Sequence, residues 1–256
     1  MRILLHSSKA MRAPRPSARP LTRPALLDRA AELIGHLRAM STADIASVMG
    51  VSQPLAERTH DLHRQWRPDG GGAAVDSFVG DIYSGLQVTE LSDADREHAA
   101  DRLRILSGLY GILRPDDGIC PYRLEMGYRI GTGSLYDFWG DSIVGQLPAD
   151  GPIVDLTATE YGQTVTRFVS PSRLVAPRFL TVSPRTGKPT FVTVHAKIAR
   201  GAFARWLITS RVDSTDAMHG FAEIGYSFDR ALSTPAAPAF VCREFGGRGL
   251  SVRLKH

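Results

Sequence analysis

The chain opens with a short apolar run at positions 3–5, which is followed at once by His6, Ser7, Ser8 and Lys9. This order predicts a buried strand whose end presents small polar side chains and one amine. Residues 10–24 are rich in proline and arginine and predict an irregular surface arm. The arm holds four basic residues and no acidic one, so it is either a solvated loop or a segment that binds a polyanion.

A helical section follows the arm. Helical spacing of apolar residues predicts helices over 24–40, 43–49, 53–66, 73–79 and 92–105. Three serines, Ser41, Ser52 and Ser92, stand where N-caps are needed, because a serine hydroxyl accepts a hydrogen bond from the first turn of a helix. Asp95, three residues after Ser92, strengthens the last of these predictions.

The pattern changes after about residue 115. β-branched residues and turn signals predict strands over 153–156, 173–182, 190–195 and 239–243, with a helix over 196–211. The order of elements predicts an α/β fold with one mixed sheet. We expect a single domain over residues 1–256, with a helical insertion at about 25–115.

Composition excludes several classes of protein. The 256 residues are 43% hydrophobic and 22% charged, which is typical of a globular protein and not of a disordered one. The apolar runs are too short for a membrane span or a signal peptide, so we expect a soluble, cytoplasmic protein without a membrane partner. Two cysteines cannot form a disulfide framework or a metal cage by themselves. The scattered histidines predict no metal site, and none of the familiar nucleotide, protease or hydrolase motifs occurs, so no cofactor is predicted.

The basic residues are unevenly divided. Of the 31 lysines and arginines only four are lysine, at Lys9, Lys188, Lys197 and Lys255. A lysine can lose its proton or form a Schiff base, which an arginine cannot do. Lys9 and Lys197 are therefore candidate functional residues, whereas Lys188 lies in a predicted turn and Lys255 in the tail.

Two glycine-bracketed segments lie among the predicted helices, one from Gly80 to Gly85 and one from Gly108 to Gly111. Two helices joined by such a tight turn can present backbone N–H groups to a phosphate, as in a helix-hairpin-helix that grips the DNA backbone. The alternative is that these glycines only close corners of the fold.

Further polar residues have two interpretations each. Asp81 and Tyr83 either display functional groups between glycines or serve as a helix cap and a core residue. Arg123 and Glu125 alternate on one side of an extended segment, either as a cleft-lining ion pair or as an isolated pair. One helical turn separates Lys197 from Arg200 near a predicted helix start, which suits either an anion site or a surface pair.

Several of these segments together resemble the YaaA family of peroxide stress proteins. The similar runs are Gly-Asp-Ile-Tyr-Ser-Gly-Leu at 80–86, Leu-Ser-Gly-Leu-Tyr-Gly-Ile-Leu-Arg-Pro at 106–115, Pro-Tyr-Arg-Leu-Glu-Met-Gly at 121–127 and Leu-Tyr-Asp-Phe-Trp-Gly at 135–140, together with Glu160-Tyr161, Ala196-Lys197, Ala199-Arg200-Gly201 and Gly225-Tyr226. The resemblance implies a single-domain α/β fold containing a helix-hairpin-helix. It also implies a cytoplasmic role in peroxide protection and binding of double-stranded DNA.

The departures from the family pattern fall at polar motif positions. His6 and Ser7 replace the serine and proline of the usual Ser-Pro-Ala/Ser-Lys opening, while Lys9 is retained. His195 stands where the family has tyrosine in Tyr-Ala-Lys. Such changes within an intact apolar scaffold suit a divergent member with a retuned site, and they also suit ordinary drift.

Two hypotheses about function follow. In the first, the chain is a stress protein that binds DNA through backbone N–H groups at Gly80, Gly85, Gly108 and Gly111. In the second, it is an enzyme for a small anionic or nucleobase-like molecule, with a place in specialised biosynthesis as one alternative. The catalytic candidates are then Lys9, Asp81, Tyr83, Glu125 and Lys197, and the ligand-binding candidates are His6, Ser7, Ser8, Arg123, Glu160, Tyr161, His195 and Arg200. A protein that only sequesters iron or a metabolite is a third alternative, for which the sequence offers no convincing ligand set.

Overall fold

A computed structural model describes residues 1–15, 17 and 19–249 of the chain, so Lys255 lies outside the described residues. The helices are α1 (Leu27–Ala39), α2 (Thr42–Met49), α3 (Gln53–Gln65), α4 (Ala74–Ser77), α5 (Asp81–Leu86), α6 (Asp93–Arg102), α7 (Leu135–Trp139), α8 (Thr159–Thr166) and α9 (Thr193–Thr209). The strands are β1 (Arg2–His6), β2 (Ala10–Met11), β3 (Gly72–Ala73), β4 (Phe78–Val79), β5 (Leu103–Ser107), β6 (Gly111–Leu113), β7 (Gly118–Ile119), β8 (Arg129–Ile130), β9 (Gly133–Ser134), β10 (Ile153–Asp155), β11 (Leu174–Val175), β12 (Arg178–Val182), β13 (Pro189–Thr190), β14 (Tyr226–Thr234) and β15 (Ala237–Cys242).

The main sheet has the strand order β11-β10-β1-β5-β6. All neighbouring pairs are parallel except β5 and β6, which form an antiparallel hairpin. The central strand β1 is paired on both sides, with Ile3 opposite Val154 of β10 and Leu103 of β5. Its side chains at positions 3–5 are fully buried, as a parallel strand covered on both faces requires. The predicted first strand is therefore confirmed.

A second sheet has the order β13-β12-β15-β14 and combines one parallel pair, β12 with β15, with antiparallel neighbours. An aromatic cluster of Phe179, Phe203, Phe221 and Phe240 packs against it, with ring centroids 5.0–6.3 Å apart. Strand β14 was not predicted, because most of its side chains are exposed or half-buried and give no apolar signal. Buried side chains from both sheets belong to one hydrophobic cluster.

The helix starts were predicted well. Ser41 and Ser92 each form a capping box, in which the serine hydroxyl accepts from the backbone N–H of Asp44 or Asp95 and that carboxylate accepts in return. Ser52 stands at the predicted N-cap of α3, although its side chain makes no capping hydrogen bond.

The helical insertion ends earlier than predicted. Helix α6 stops at Arg102, and the segment 103–107, predicted as part of a helix and a turn, is strand β5 between β1 and β6. Its buried apolar side chains fit a parallel strand better than an amphipathic helix. Similarly, the strand predicted at 190–195 ends at Thr190, and α9 begins at Thr193.

Candidate functional site

The position of the main cleft follows from the topology of the main sheet. After β1, the next parallel strand in the chain, β5, lies on one side of it, and β10 lies on the other. Loops that follow β1 and β10 therefore diverge, and a crevice opens at the carboxyl ends of the two strands. A cleft of about 420 Å³ lies there. It is lined by eleven residues proposed from the sequence, namely His6, Ser7, Ser8, Lys9, Gly80, Asp81, Tyr83, Glu125, Glu160, Tyr161 and Lys197.

An ion pair stands at the mouth of this cleft. Lys9 Nζ lies 2.9 Å from Glu125 Oε2, with the lysine side chain 63% exposed and the carboxylate side chain only 13% exposed. Tyr128 donates a hydrogen bond of 2.7 Å to Glu125 Oε1. Both carboxylate oxygens are therefore engaged, so Glu125 fixes the position of the Lys9 amine. Tyr128 was missed by the sequence analysis, although it follows Glu125 by only three positions.

His6 forms a neutral, fixed part of the cleft wall. Its Nδ1 accepts a hydrogen bond of 3.2 Å from the backbone N–H of Ala158, which leaves the imidazole proton on Nε2. Burial, together with the charges of Arg200 and Lys197, lowers the pKa of His6 to about 3. The ring stacks on Tyr161 at a centroid distance of 4.9 Å. At neutral pH this histidine is consequently a hydrogen-bonding ring and not a cation.

Two tyrosines close the floor beside His6. Tyr83 donates to the backbone carbonyl of His6 at 3.0 Å, and Ser7 Oγ donates to Tyr161 Oη at 3.3 Å. Burial raises the pKa of both phenols well above the ordinary value. Both therefore stay protonated at neutral pH and act as hydrogen-bonding groups.

Glu160 and the pair Asp81 and Lys197 complete the charged lining. Glu160 Oε1 accepts from the backbone N–H of Gly127 at 2.8 Å. Asp81 is the first residue of α5, and Lys197 lies in the second turn of α9.

Helices α5 and α9 pack more closely than side chains normally allow, because each helix has a glycine at the point where they cross. A Cβ at Gly85 would lie 2.0 Å from the carbonyl oxygen of Ile198.

Three predicted ligand-binding residues lie outside the cleft lining. Arg200 is half-buried near His6; burial lowers its pKa, an effect that Asp155 partly offsets. Arg123 has a buried Nε without a hydrogen-bond partner among the described residues. His195 contacts Thr181 Oγ1 through Nδ1 at 3.1 Å and stacks on Phe245.

The predicted helix-hairpin-helix is not confirmed. Gly108 and Gly111 belong to the tight turn of the β5–β6 hairpin and not to a turn between helices. A Cβ at Gly108 would lie 2.4 Å from the carbonyl oxygen of Leu124, and one at Gly111 would lie 3.0 Å from the Trp139 ring. These glycines, like Gly85, leave space for neighbouring protein atoms, so phosphate has no access to them. Gly80 alone of the four lines the cleft.

Within the described part of the chain, no three His, Cys, Asp or Glu side chains are grouped so that they could hold a metal ion. The same residues include no helix with the length and apolar character needed to cross a bilayer.

The fold and cleft define an α/β protein with a charged cavity at the switch point of a mostly parallel sheet. Comparison with known proteins narrows this class. The model of the peroxide stress protein YaaA family matches residues 1–232, and the chain belongs to that family. A UPF0246 protein of Salinispora tropica is 57% identical over 258 residues, covering 99% of this chain and 98% of that protein. A UPF0246 protein of Ruegeria sp. is 39% identical over 251 residues, covering 94% and 99% respectively.

Proposed function

We propose that this chain takes part in protection against peroxide by binding a small polar molecule of the nucleobase or nucleotide class in its cleft. One observation supports this above all others. Two amines and three carboxylates, from five separate parts of the chain, converge on one cavity of about 420 Å³. Charged side chains that come from distant parts of a chain and line one cavity are typical of a ligand-binding site.

The mixture of groups favours a ligand with both donors and acceptors. Lysine amines and the protonated Nε2 of His6 donate, whereas the carboxylates of Asp81 and Glu160 accept. The edges of a nucleobase offer complementary groups in a rigid plane. A simple anion would be poorly matched, because the lining side chains carry more negative than positive charge.

If the bound molecule is also transformed, the cleft supplies acid–base groups of two kinds. Lys197 is the candidate amine for electrostatic or nucleophilic work, and Glu160 and Asp81 are the candidate proton acceptors. Lys9 and Glu125 form an ion pair with each other, and Tyr83 donates to the backbone carbonyl of His6, so we assign these three to positioning. This division revises the catalytic set expected from the sequence.

A thermal-shift titration with nucleobases, nucleosides and nucleotides tests the proposal. A ligand that binds only the folded state stabilises it by roughly 2.7 kcal/mol at one hundred times its dissociation constant. We expect at least one compound to raise the Tm of the wild-type protein and to lose this effect in Lys197→Met. Lys188→Met is the matched control, since Lys188 is an exposed lysine outside the cleft lining.

Two results would contradict the proposal. One is a flat Tm across the whole panel, and the other is an equal response of Lys197→Met and Lys188→Met to the same compound.

A second candidate function, binding of duplex DNA, is favoured by a basic groove of about 450 Å³ beside the C-terminal end of α3. Arg38, Arg64 and Arg67 line it, and its described lining includes no carboxylate. Arg38 is held by backbone carbonyls, at 3.0 Å from that of His63 and 2.6 Å from that of Trp66. Arg64 and Arg67 are exposed. Phosphates therefore have a better binding surface here than at the glycine turns.

A mobility-shift assay at low and high salt separates this function from the first. The double variant R64Q/R67Q should weaken any DNA complex, whereas R230Q/R243Q, which removes two exposed arginines elsewhere, should not. Equal DNA affinity of the two double variants would exclude the groove as the binding surface. Absence of a shift for the wild-type protein at low salt would exclude DNA binding altogether.

A further inference from the structure

Residues 244–249, which we call the C-terminal strap, follow β15 and cross the first turns of α9. Phe245 stacks face to face on His195, with 3.9 Å between ring centroids and 8° between ring planes. Burial lowers the pKa of His195, so the stack joins two neutral rings at neutral pH. This contact fixes the start of the strap to α9.

The strap then runs toward the cleft. A Cβ at Gly247 would lie 3.0 Å from Ile198 Cγ2, and a Cβ at Gly249 would lie 2.5 Å from Ile198 Cδ1. At Gly249 the same Cβ would also lie 2.9 Å from Asp81 Oδ1. Asp81 lines the cleft, and Ile198 follows the cleft residue Lys197. At Gly249 the strap therefore lies beside the rim of the cleft.

Arg248 lies between these two contact points. It is exposed, and its neighbours Gly247 and Gly249 lie against the side chains of Phe245, Ile198 and Asp81. These contacts place the backbone of Arg248 beside the rim residue Asp81, and the exposed arginine side chain is long and flexible. The strap thus brings the backbone of one cationic residue next to the rim.

An anionic ligand would need a further cation, because the charged side chains that line the cleft are mostly carboxylates. Lys9 is paired with Glu125, and the other charged side chains of the lining are Lys197, Asp81 and Glu160. A phosphate in the interior would meet more carboxylate than amine and would be repelled. At the rim, however, a guanidinium can bind a phosphate through two parallel hydrogen bonds.

We propose that Arg248 binds the phosphate of a nucleotide whose base occupies the cleft, an inference that rests on the proposed small-molecule function. The strap then selects nucleoside phosphates over free nucleosides. Its position comes from the Phe245 stack and the two glycine contacts.

Titration calorimetry with guanosine and GMP, and with adenosine and AMP, tests this assignment. The wild-type protein should bind one monophosphate about tenfold more tightly than its nucleoside, the difference expected for one charge-assisted hydrogen-bonded contact. Arg248→Met should remove this difference and leave the nucleoside affinity unchanged. Arg248→Lys should retain part of it, and the control Arg243→Met, just before the strap, should retain all of it.

Phe245→Ala provides a second variant, which keeps the charge but releases the start of the strap. We expect it to lose the phosphate preference as Arg248→Met does. Its Tm, measured alongside, shows whether the fold is intact.

The possible failures are distinguishable. If the wild-type protein binds a monophosphate, and Lys197→Met abolishes this binding while Arg248→Met does not change it, the role assigned to Arg248 is wrong and the cleft function stands. An equal loss of nucleoside and monophosphate affinity in Arg248→Met would mean a structural role and would also overturn the assignment. If the wild-type protein binds none of the four compounds, the nucleotide function fails and this inference fails with it.

Discussion

Residues 80–86 form a wall of the cleft, whereas residues 106–113 form a buried hairpin at the edge of the main sheet. Both segments are apolar runs bracketed by glycines, and for each the sequence left the same two alternatives, a phosphate-binding turn or a corner of the fold. In the first, Gly80 and Asp81 face the cavity while Gly85 packs against α9. In the second, Gly108 packs against residues 124–125, and the neighbouring Tyr110 accepts hydrogen bonds from Trp66 and the backbone of Cys120.

The difference shows what a glycine signal means in this protein. Three of the four glycines allow the backbone to approach another part of the chain closely, and one borders the cleft. Gly80 also has a φ of 150°, which residues with a Cβ rarely adopt. A glycine in an apolar run therefore indicates close approach, and its partner, whether protein or ligand, depends on distant residues.

Gly85→Ala should have the largest effect on stability. The added Cβ would lie 2.0 Å from the carbonyl oxygen of Ile198 and 2.8 Å from the backbone nitrogen of Ala202, so α5 and α9 must separate. We expect a loss of about 3–5 kcal/mol in the free energy of unfolding, measured by urea denaturation.

The matched control is Gly35→Ala in α1, where a Cβ would meet nothing within 4 Å. It should stabilise the protein by roughly 0.5–1 kcal/mol, because alanine favours the helix. Similar unfolding energies for the two variants would disprove the close crossing of α5 and α9.

Gly108→Ala should have an intermediate effect and sharpens the contrast between the two segments. Its Cβ would lie 2.4 Å from the Leu124 carbonyl oxygen and 3.0 Å from the Glu125 carbonyl carbon, so residues 124–125 must shift. We expect a loss of about 2–3 kcal/mol in urea unfolding.

Gly145→Ala is the control for this variant, since Gly145 has open space around it and should change stability little. If Gly108 instead served as a phosphate-binding turn, its variant would weaken DNA binding without loss of stability. That result would support a phosphate-binding turn at Gly108.

The smallest effect, per unit of pH, comes from two buried histidines, His6 at the end of β1 and His63 in α3. His6 lines the cleft beside Tyr83, and His63 Nε2 donates to the carbonyl of Arg123, ahead of the segment that packs on Gly108. Burial is the main cause that lowers the pKa of His6 to about 3 and that of His63 to about 4, from an ordinary value of 6.5. Below pH 6.5 the unfolded chain therefore binds protons that the folded chain does not.

Stability should consequently be complete above about pH 6.5 and should fall as the pH is lowered toward 4. Each histidine contributes up to roughly 1.4 kcal/mol per pH unit in this window. Urea unfolding at pH 7, 6 and 5 measures the slope of the free energy of unfolding against pH. His63→Gln should reduce this slope by the contribution of one titrating group. An unchanged slope in that variant would mean that His63 is not the group that resists protonation.

Much of the local structure was predictable because its causes are local. The capping boxes at Ser41 and Ser92 involve residues only three positions apart, and the apolar run at 3–5 was enough to predict β1. Strand β5 was predicted as the end of a helix and the start of a turn, because its partners, β1 and β6, are not visible in its own composition. Eleven of the proposed site residues share the cleft, whereas Arg123, His195 and Arg200 lie outside its lining.

The sequence by itself determined which segments carry polar groups at the ends of apolar elements, since capping, helical spacing and strand burial depend on neighbouring residues. Only the tertiary structure decided that residues 6–9, 80–83, 125, 158–161 and 197 meet at one crevice. That meeting depends on the parallel pairing of β1 with both β10 and β5, which joins residues about 100 to 150 positions apart. Hydrogen bonds between distant strands leave no local pattern from which their register can be read.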